Sequence, residues 1–566
     1  MQGEISDIEK LIAESRNFEA YHVIQTMLES TPGEERLEQL KALTLAKLGS
    51  PLDAMEYFEP LWRSHTNQAE SAGIMGGIYK SLFVATENTK YGKQSAGTYL
   101  VNFQKTQDSY TGINAATMSK LTGNVKVSKE IANQLIISLE SQKRDYWQEA
   151  TLAEAYLLIK NTEMATQHYI HAHELMRNNW GAIGSVQRQL WLLNHYIRVP
   201  NAIKSFFKPP VMAVFIGHMI DAEDRETPRF KPEMEESVRG AIKSSIESLN
   251  IEIGYCSLAC GADILFVEEM LRLGKKVEIF IPFNKEDFIQ TSIAFAGDQW
   301  VHRFEKILEK VSNVQWLTKK RFNGDDYHFH ILSEGMSGAA KLRANNMNSS
   351  PILLAVLSEH SLENKTGGAR DLIESWPDNN IHKVNIDVYL NVQNSAPTHS
   401  FNLYSKFKKK EGFNLTRAFV IVIKKESDSL DIHKAILDSS YHKFLSYHNS
   451  MGDKEVFIFS NFTPVIEFMK DIMTSISKDN VFTAGIKLSY LNLSETNLSD
   501  NSELKDVNNL CSHSPSNSFL VDQFIAFRLA FNSENFEIKY AGELKFEMQD
   551  TLNVYRIRNL DSSSIY

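Results

Sequence analysis

From about residue 5 to residue 198 the apolar positions recur at helical spacing, with few β-branched runs to interrupt them. In LKALTLAKLGSPLDAMEYFEPLW (Leu40 to Trp62), small residues at Ala42, Ala46 and Ala54 alternate with Leu45, Leu48, Tyr57 and Phe58. Gly49-Ser50-Pro51 ends one helix and opens the next, Gly serving as C-cap and Pro as first residue. The same pattern returns in WQEATLAEAYLLIKNTEMATQHYIHAHEL, where Ala150, Ala153 and Ala155 face Tyr156, Ala165 and Tyr169 across a turn at Lys160-Asn161. Small residues set against large ones on paired helices, at a period of about 34 residues, predict a stack of helical repeats rather than one bundle.

The period changes at Val211. VMAVFIGHMI is a continuous apolar run ending in Gly-His, which reads as a strand buried on both faces. Further apolar runs follow in IEIGYC, VEIFIPF, VQWL, PILLAVLSE and KVNIDVYL, separated by spans with helical periodicity. Strands alternating with helices predict right-handed βαβ units and a doubly wound, Rossmann-like parallel sheet. From Arg417 a second pattern begins, with strands AFVIVI, EVFIF, FTAGIKLSYL and TLNVYRIR, and reads as an α+β region with antiparallel strands. Asn492 to Ser518, rich in Ser, Asn and Asp, reads as a long mobile loop, and DDYHFHIL places His328 and His330 as on an extended segment. The expected organisation is a helical scaffold over 1–200, a Rossmann-like domain over 208–390, a linker over 391–415 and a ferredoxin-like α+β domain over 416–566.

The chain has 566 residues, enough for three to four domains. Lys and Arg number 60 against 70 for Asp and Glu, so a protein that coats nucleic acid is not expected. The basic run Lys406 to Lys410 reads as solvated surface. No run of 18 apolar residues occurs, and Glu4, Asp7, Glu9, Glu14 and Glu19 leave no expectation of a leader or a membrane partner. Three cysteines make a disulfide framework impossible and a cytoplasmic location the expected one. Cys256 and Cys260 lack a second pair of ligands, so no metal is expected there.

Three loops in the central region follow strands and open helices, which is where open α/β sheets bind ligands. Gly217-His218 leads into MIDAEDRETPRF, where Arg225 and Arg229 suit a phosphate or carboxylate. Ser257 to Asp263 is a small-residue loop, with Gly261 and Ala262 placing free N–H groups at a helix start. Thr366-Gly367-Gly368 opens another helix. Together they predict a nucleotide-type ligand and no further cofactor. A hydrolase acting on an N-glycosidic or phosphate bond at the same loops is the alternative, with Asp263 or Glu359 as acid or base. A non-catalytic scaffold is the third reading.

VFIGHMIDAEDR, GYCSLACGADILFVEEM and LAVLSE with KTGGARDLIE resemble the SLOG superfamily, which groups the DNA-processing protein DprA with the LOG phosphoribohydrolases. The resemblance implies ligand loops at Ser257 to Asp263 and Thr366 to Ala369. LOG hydrolases carry PGGxGTxxE, whereas Glu374 lies six residues after Gly368, so the resemblance implies binding rather than hydrolysis. AGIMGGIYKS and WQEATLAEAYLLI resemble the TRAFs-binding tetratricopeptide region of bacterial signalling proteins, which implies a protein partner. MGDKEVFIF, FTAGIKLSYL and YAGELKFEM resemble strands of class III nucleotide cyclases. That family holds metal with two aspartates and uses an Asn-x-x-x-Arg pattern. Here only Asp453 remains, Val422 or Ile423 stands at the other aspartate, and Asn508 is followed by Ser512. A degenerate, non-producing cyclase domain kept for dimerisation is implied, and with it a homo-oligomer. The combination implies a signalling sensor, in bacteria one serving phage defence or stress response.

Overall fold

The computed structural model describes residues 2–13, 17–47, 51–64, 69–177, 180–222, 225, 227–311, 314–345, 349–359, 369–376, 380–390, 416–425, 442–474, 481–491, 501–533, 535–544 and 552–559. The chain forms two compact units, one built on the residues up to Pro209 and one on Pro210–Ile538. The expected linker over 391–415 lies outside the described residues.

The first unit contains α1 (Gln2–Ala13), α2 (Asn17–Ser30), α3 (Glu35–Lys47), α4 (Pro51–Ser64), α5 (Ala69–Thr86), α6 (Thr89–Thr106), α7 (Ser109–Leu121), α8 (Val125–Glu140), α9 (Tyr146–Leu158), α10 (Thr162–Met176), α11 (Trp180–Tyr196) and α12 (Asn201–Phe206). From α1 to α11 each helix packs on the next. Contacts also skip one helix, joining α1 to α3, α3 to α5 and α7 to α9. That pattern is a stack of helix pairs, in which each pair buries its apolar face on its neighbours. Asn88, Asp108, Asn124, Asp145 and Asn161 cap five of these helices by accepting a backbone N–H of the first turn. The small-against-large pattern is visible at Gly112, where a Cβ would stand 2.7 Å from the Phe103 ring.

In the second unit, β1 (Val211–Gly217), β2 (Ile251–Cys256), β3 (Lys276–Ile281), β4 (Val314–Trp316), β5 (Ile352–Leu357) and β6 (Ile381–Asn385) form one sheet in the order β4-β3-β2-β1-β5-β6. Every neighbouring pair is parallel. The chain starts in the middle, winds outward to β4 and returns to the other side of β1, so the order reverses between β1 and β5. Between the strands run α13 (Glu235–Ser248), α14 (Ala262–Arg272), α15 (Lys285–Ser292), α16 (Asp298–Lys310), α17 (Tyr327–Asn345) and α18 (Ala369–Ser375). Ala213, Phe215, Ile279, Leu354 and Val356 share a core with Val238 and Ile242 of α13, Phe266 of α14 and Phe304 of α16. His328 and His330 are on helix α17, not on an extended segment. Their alternation with aromatics imitated a strand, while the buried positions Ile331, Leu332, Met336 and Ala340 carry the helical spacing.

The remaining sheet is seven-stranded and includes β7 (Thr416–Lys425), β8 (Leu445–Met451), β9 (Lys454–Phe459), β10 (Phe482–Leu491) and β11 (Ser518–Asp522), which run β11-β10-β7-β9-β8. The pairs β7–β9, β8–β9 and β7–β10 are antiparallel and β10–β11 is parallel, so the sheet is mixed rather than antiparallel throughout. Its helices are α19 (Phe462–Thr474), α20 (Ser502–His513) and α21 (Gln523–Asn532). Helix α20 falls within the stretch read as a loop. Asn501 caps it, and Leu504, Val507 and Cys511 pack on Val420, Val422 and Val456 of the sheet.

Helix α21 packs along α17 and ties the two sheets of this unit together. Arg528, only 2% exposed, donates to Glu334 at 2.6 Å and lies over the Phe462 ring at 4.0 Å. Phe527 meets Phe280 of β3, and Gln523 donates to Gln315 of β4 at 2.8 Å. The C-terminal region thus supplies a helix to the outer strands of the parallel sheet.

Candidate functional site

The loops after β1 and β2 meet beside the end of β5 at the C-terminal edge of the parallel sheet, where the strand order reverses. His218 donates its N–H to Val356 O at 3.1 Å, and its own carbonyl accepts from Ala262 N at 3.0 Å. A Cβ on Gly217 would lie 2.3 Å from the Ala262 Cβ. At Gly261, with φ +96°, a Cβ would meet Ile220 N at 2.6 Å and His218 O at 2.8 Å. Both glycines therefore let the first two loops pack on each other, and α14 starts against the carbonyl of His218.

Ser257 opens the second loop and is half-buried, and Cys256 and Cys260 beside it are buried. Asp263 is half-buried and accepts from Ala259 N at 3.3 Å. Burial pushes its carboxyl up to about 7, against which the Ala259 N–H and the Cys256 thiol pull back. The same burial raises both thiols, which makes them poor nucleophiles at neutral pH.

Arg225 and Arg229 both turn to Asp221, at 3.2 and 3.7 Å. Asp221 also accepts from Arg229 N at 2.7 Å and Phe230 N at 2.8 Å, which ties residues 229 and 230 back to Asp221. Sequence reasoning singled out the arginines and missed this acceptor, although the four-residue spacing from Asp221 to Arg225 was there to be read. Glu359 is exposed and donates its N–H to Asp387 at 2.9 Å. Thr366, Gly367 and Gly368 lie outside the described residues. Asp453 sits in the exposed turn between β8 and β9, 3.4 Å from Lys424. Among the described residues no group of three His, Cys, Asp or Glu side chains is placed to hold a metal ion.

Sequence reasoning also missed Lys487 of β10, buried against Glu503 at 3.1 Å and Asp506 at 2.5 Å of α20. These carboxylates hold its ammonium above the usual lysine range despite the burial. Glu503 also receives Lys320, from the loop after β4. A lone lysine inside the apolar strand FTAGIKLSYL was the available signal.

In the first unit a cavity of about 570 Å³ opens between α3, α5, α6 and the start of α7, lined among others by Glu70, Gly73, Gly77, Asn102, Asp108 and Tyr110. One turn further along α5, Lys80 donates to Asn114 of α7 at 2.7 Å and to Gln189 of α11 at 3.0 Å. Gln189 in turn donates to Glu154 of α9 at 2.7 Å. Desolvation pulls Lys80 below the usual lysine range and pushes Glu154 above the carboxylate range. A polar chain thus crosses four helices beside the cavity.

Residues 17–119 match a family described as Tetratricopeptide Repeats-Sensor. No curated protein matches the chain. Among solved structures, a thermophilic TPR protein of Thermus thermophilus is 17% identical, covering 34% of this chain and 98% of its own, with a TM-score of 0.29. The guanylate cyclase domain of a protein from Catenaria anguillulae, in complex with GTP, is 8% identical, covering 25% and 97%, with a TM-score of 0.19. No helix among the described residues is long and apolar enough to cross a membrane. The paired helices, their small-against-large contacts and the match over 17–119 make the first unit a TPR-type protein-interaction region.

Proposed function

We propose that this chain is a cytoplasmic signalling sensor, in which the helical repeats dock a protein partner and the Rossmann-like domain binds a nucleotide or nucleotide-derived messenger. The observation that carries the reading is the packing of the loops after β1 and β2 on each other at the reversal point of a parallel sheet, with α14 starting against the carbonyl of His218. The phosphate would take Arg225 and Arg229 from Asp221, exchanging one carboxylate for another anion. The C-terminal domain, read as a degenerate cyclase, is joined to the sensor through α17 and α21 and is positioned to report occupancy. Calorimetry of the full chain against mono-, di- and cyclic nucleotides tests this. Micromolar binding lost in Arg225→Gln with Arg229→Gln is expected, and no binding below millimolar for any of the panel refutes it.

One observation favours a second reading. A carboxyl that titrates near pH 7 beside a ligand loop is suited to general acid–base work, and Asp263 is such a group. Incubation with NAD and nucleoside monophosphates, followed by chromatography, tests for hydrolysis. Turnover abolished by Asp263→Asn would replace the sensor reading with a hydrolase.

A further inference from the structure

The corner where β7, the β8–β9 hairpin and α20 meet carries a charge arrangement that the functions proposed above do not use. The strand register sets Lys424 of β7 directly opposite Lys454 of β9. Directly opposed residues on antiparallel neighbours point to one face with their Cβ atoms about 5 Å apart, and like charges so placed destabilise the sheet. Alternation along β7 puts Lys424 on the face of Val420 and Val422, the face that α20 covers. From α20, Asn508 Oδ1 and Ser512 Oγ lie 3.4 and 3.2 Å from the Lys454 ammonium. The Lys424 ammonium is 3.4 Å from Asp453, whose side chain is 60% exposed. The Lys424 ammonium thus rests on one solvated carboxylate and the Lys454 ammonium on two neutral oxygens.

The pair of divalent metals implied by the cyclase resemblance does not fit these residues. Val422 and Ile423 are fully buried and apolar, and the next side chain on the covered face is a lysine against the one remaining aspartate. A dication at Asp453 would have to displace that ammonium with no second carboxylate among the described residues to help it. The same features suit the opposite charge. Two ammonium groups and a primary amide at a half-open corner are donors for phosphate oxygens.

We propose that this corner is a metal-independent anion site, holding a phosphate or diphosphate group between Lys424 and Lys454, with the Asn508 amide as a neutral donor. The ligand class is inorganic polyphosphate or the phosphate tail of a nucleotide. Bound anion removes the lysine–lysine repulsion, and Asp453 then opposes binding instead of making it.

The test is titration calorimetry of the full chain with inorganic pyrophosphate and, separately, with ADP, first in EDTA and then in excess Mg²⁺. Binding in EDTA is expected, weakened by Mg²⁺ because the dication competes for the phosphate charge. Lys424→Gln with Lys454→Gln should weaken binding by about tenfold or more, the scale of a charge-assisted hydrogen bond. Lys424→Arg with Lys454→Arg should retain it. Asp453→Asn should strengthen it by up to about fivefold, the scale of one exposed ion pair. Tighter binding of ADP than of pyrophosphate assigns a nucleotide, and equal affinity assigns free polyphosphate. A requirement for Mg²⁺, loss of binding in Asp453→Asn, unchanged binding in the double Gln variant or no binding at millimolar pyrophosphate and ADP in EDTA would each overturn the proposal.

Discussion

Gly338 lies inside α17, where helix propensity alone favours alanine over glycine by about 1 kcal/mol. The contact with α21 argues the other way. A Cβ on Gly338 would stand 1.7 Å from the carbonyl oxygen of Phe527, 2.5 Å from its carbonyl carbon and 3.0 Å from its Cα. All three atoms are backbone, so no rotamer change relieves the clash, and the helices must part by about 1.5 Å for ordinary van der Waals contact. Overpacking of this kind costs typically about 1–3 kcal/mol, and parting the helices also loosens Phe527 from Phe280 and Arg528 from Glu334. Gly338→Ala is therefore expected to destabilise the second unit by up to about 2 kcal/mol net of the propensity gain. Gly240 in α13 is the control, since it is exposed and a Cβ there meets nothing within 4 Å. Gly240→Ala should stabilise by up to about 1 kcal/mol. Urea unfolding followed by far-UV circular dichroism, with limited proteolysis to identify the unit that opens, measures both. If Gly338→Ala raises the midpoint as Gly240→Ala does, the close packing of α17 on α21 is wrong.

Two more outcomes follow from buried charge. The Asp263 carboxyl titrates at about 7 in the folded chain against 3.8 in the unfolded one, so between those values the folded state holds the extra proton and stability falls as pH rises, levelling above 7. A shift of about three units is worth about 4 kcal/mol, and solvent reaching the half-buried group reduces this to about 2 kcal/mol. Thermal midpoints of Asp263→Asn and the parent should therefore diverge in the variant's favour from about pH 5 to pH 8, and parallel curves would refute the assignment. Arg528→Ala, which leaves the buried Glu334 with the Asn532 amide and His330 but without its guanidinium, should cost up to about 3 kcal/mol in urea unfolding. Arg528→Met with Glu334→Leu should recover most of that loss, and an equal loss in the double variant would mean that packing rather than charge holds the contact.

The apolar runs that the sequence displays without competition are the ones that became strands as read. VMAVFIG has no polar residue to contest a doubly buried strand, and MGDKEVFIF pairs a Gly-Asp turn with an apolar run, giving the β8–β9 hairpin. Helix α20 was hidden because Ser, Asn and Asp around it dominate the composition, while its signal is only Leu504, Val507 and Cys511 on one face with Asn501 as cap. The parallel pairing of β10 with β11 was not legible because pairing direction depends on a crossover through α20, the element that had been missed.

The glycines of the loops after β1 and β2 show the deeper limit. A glycine after a strand signals that something must approach the backbone closely, but the sequence does not say whether that something is a ligand or another loop. At Gly217 and Gly261 it is another loop, since a Cβ at either position would strike Ala262 or the His218–Ile220 backbone. At Gly338, which the motif reading passed over, it is a whole helix from the C-terminal region. Charged residues carry the same ambiguity. Arg225 and Arg229 read as phosphate donors and are found on Asp221, while Lys424 and Lys454, read only as parts of strands, are brought side by side by register. What a residue offers a ligand is thus its chemistry less whatever its own chain has already claimed. For the arginines that claim is a nearly buried carboxylate, whereas among the described residues Lys424 has one solvated aspartate and Lys454 two neutral oxygens, a weaker claim on their charge.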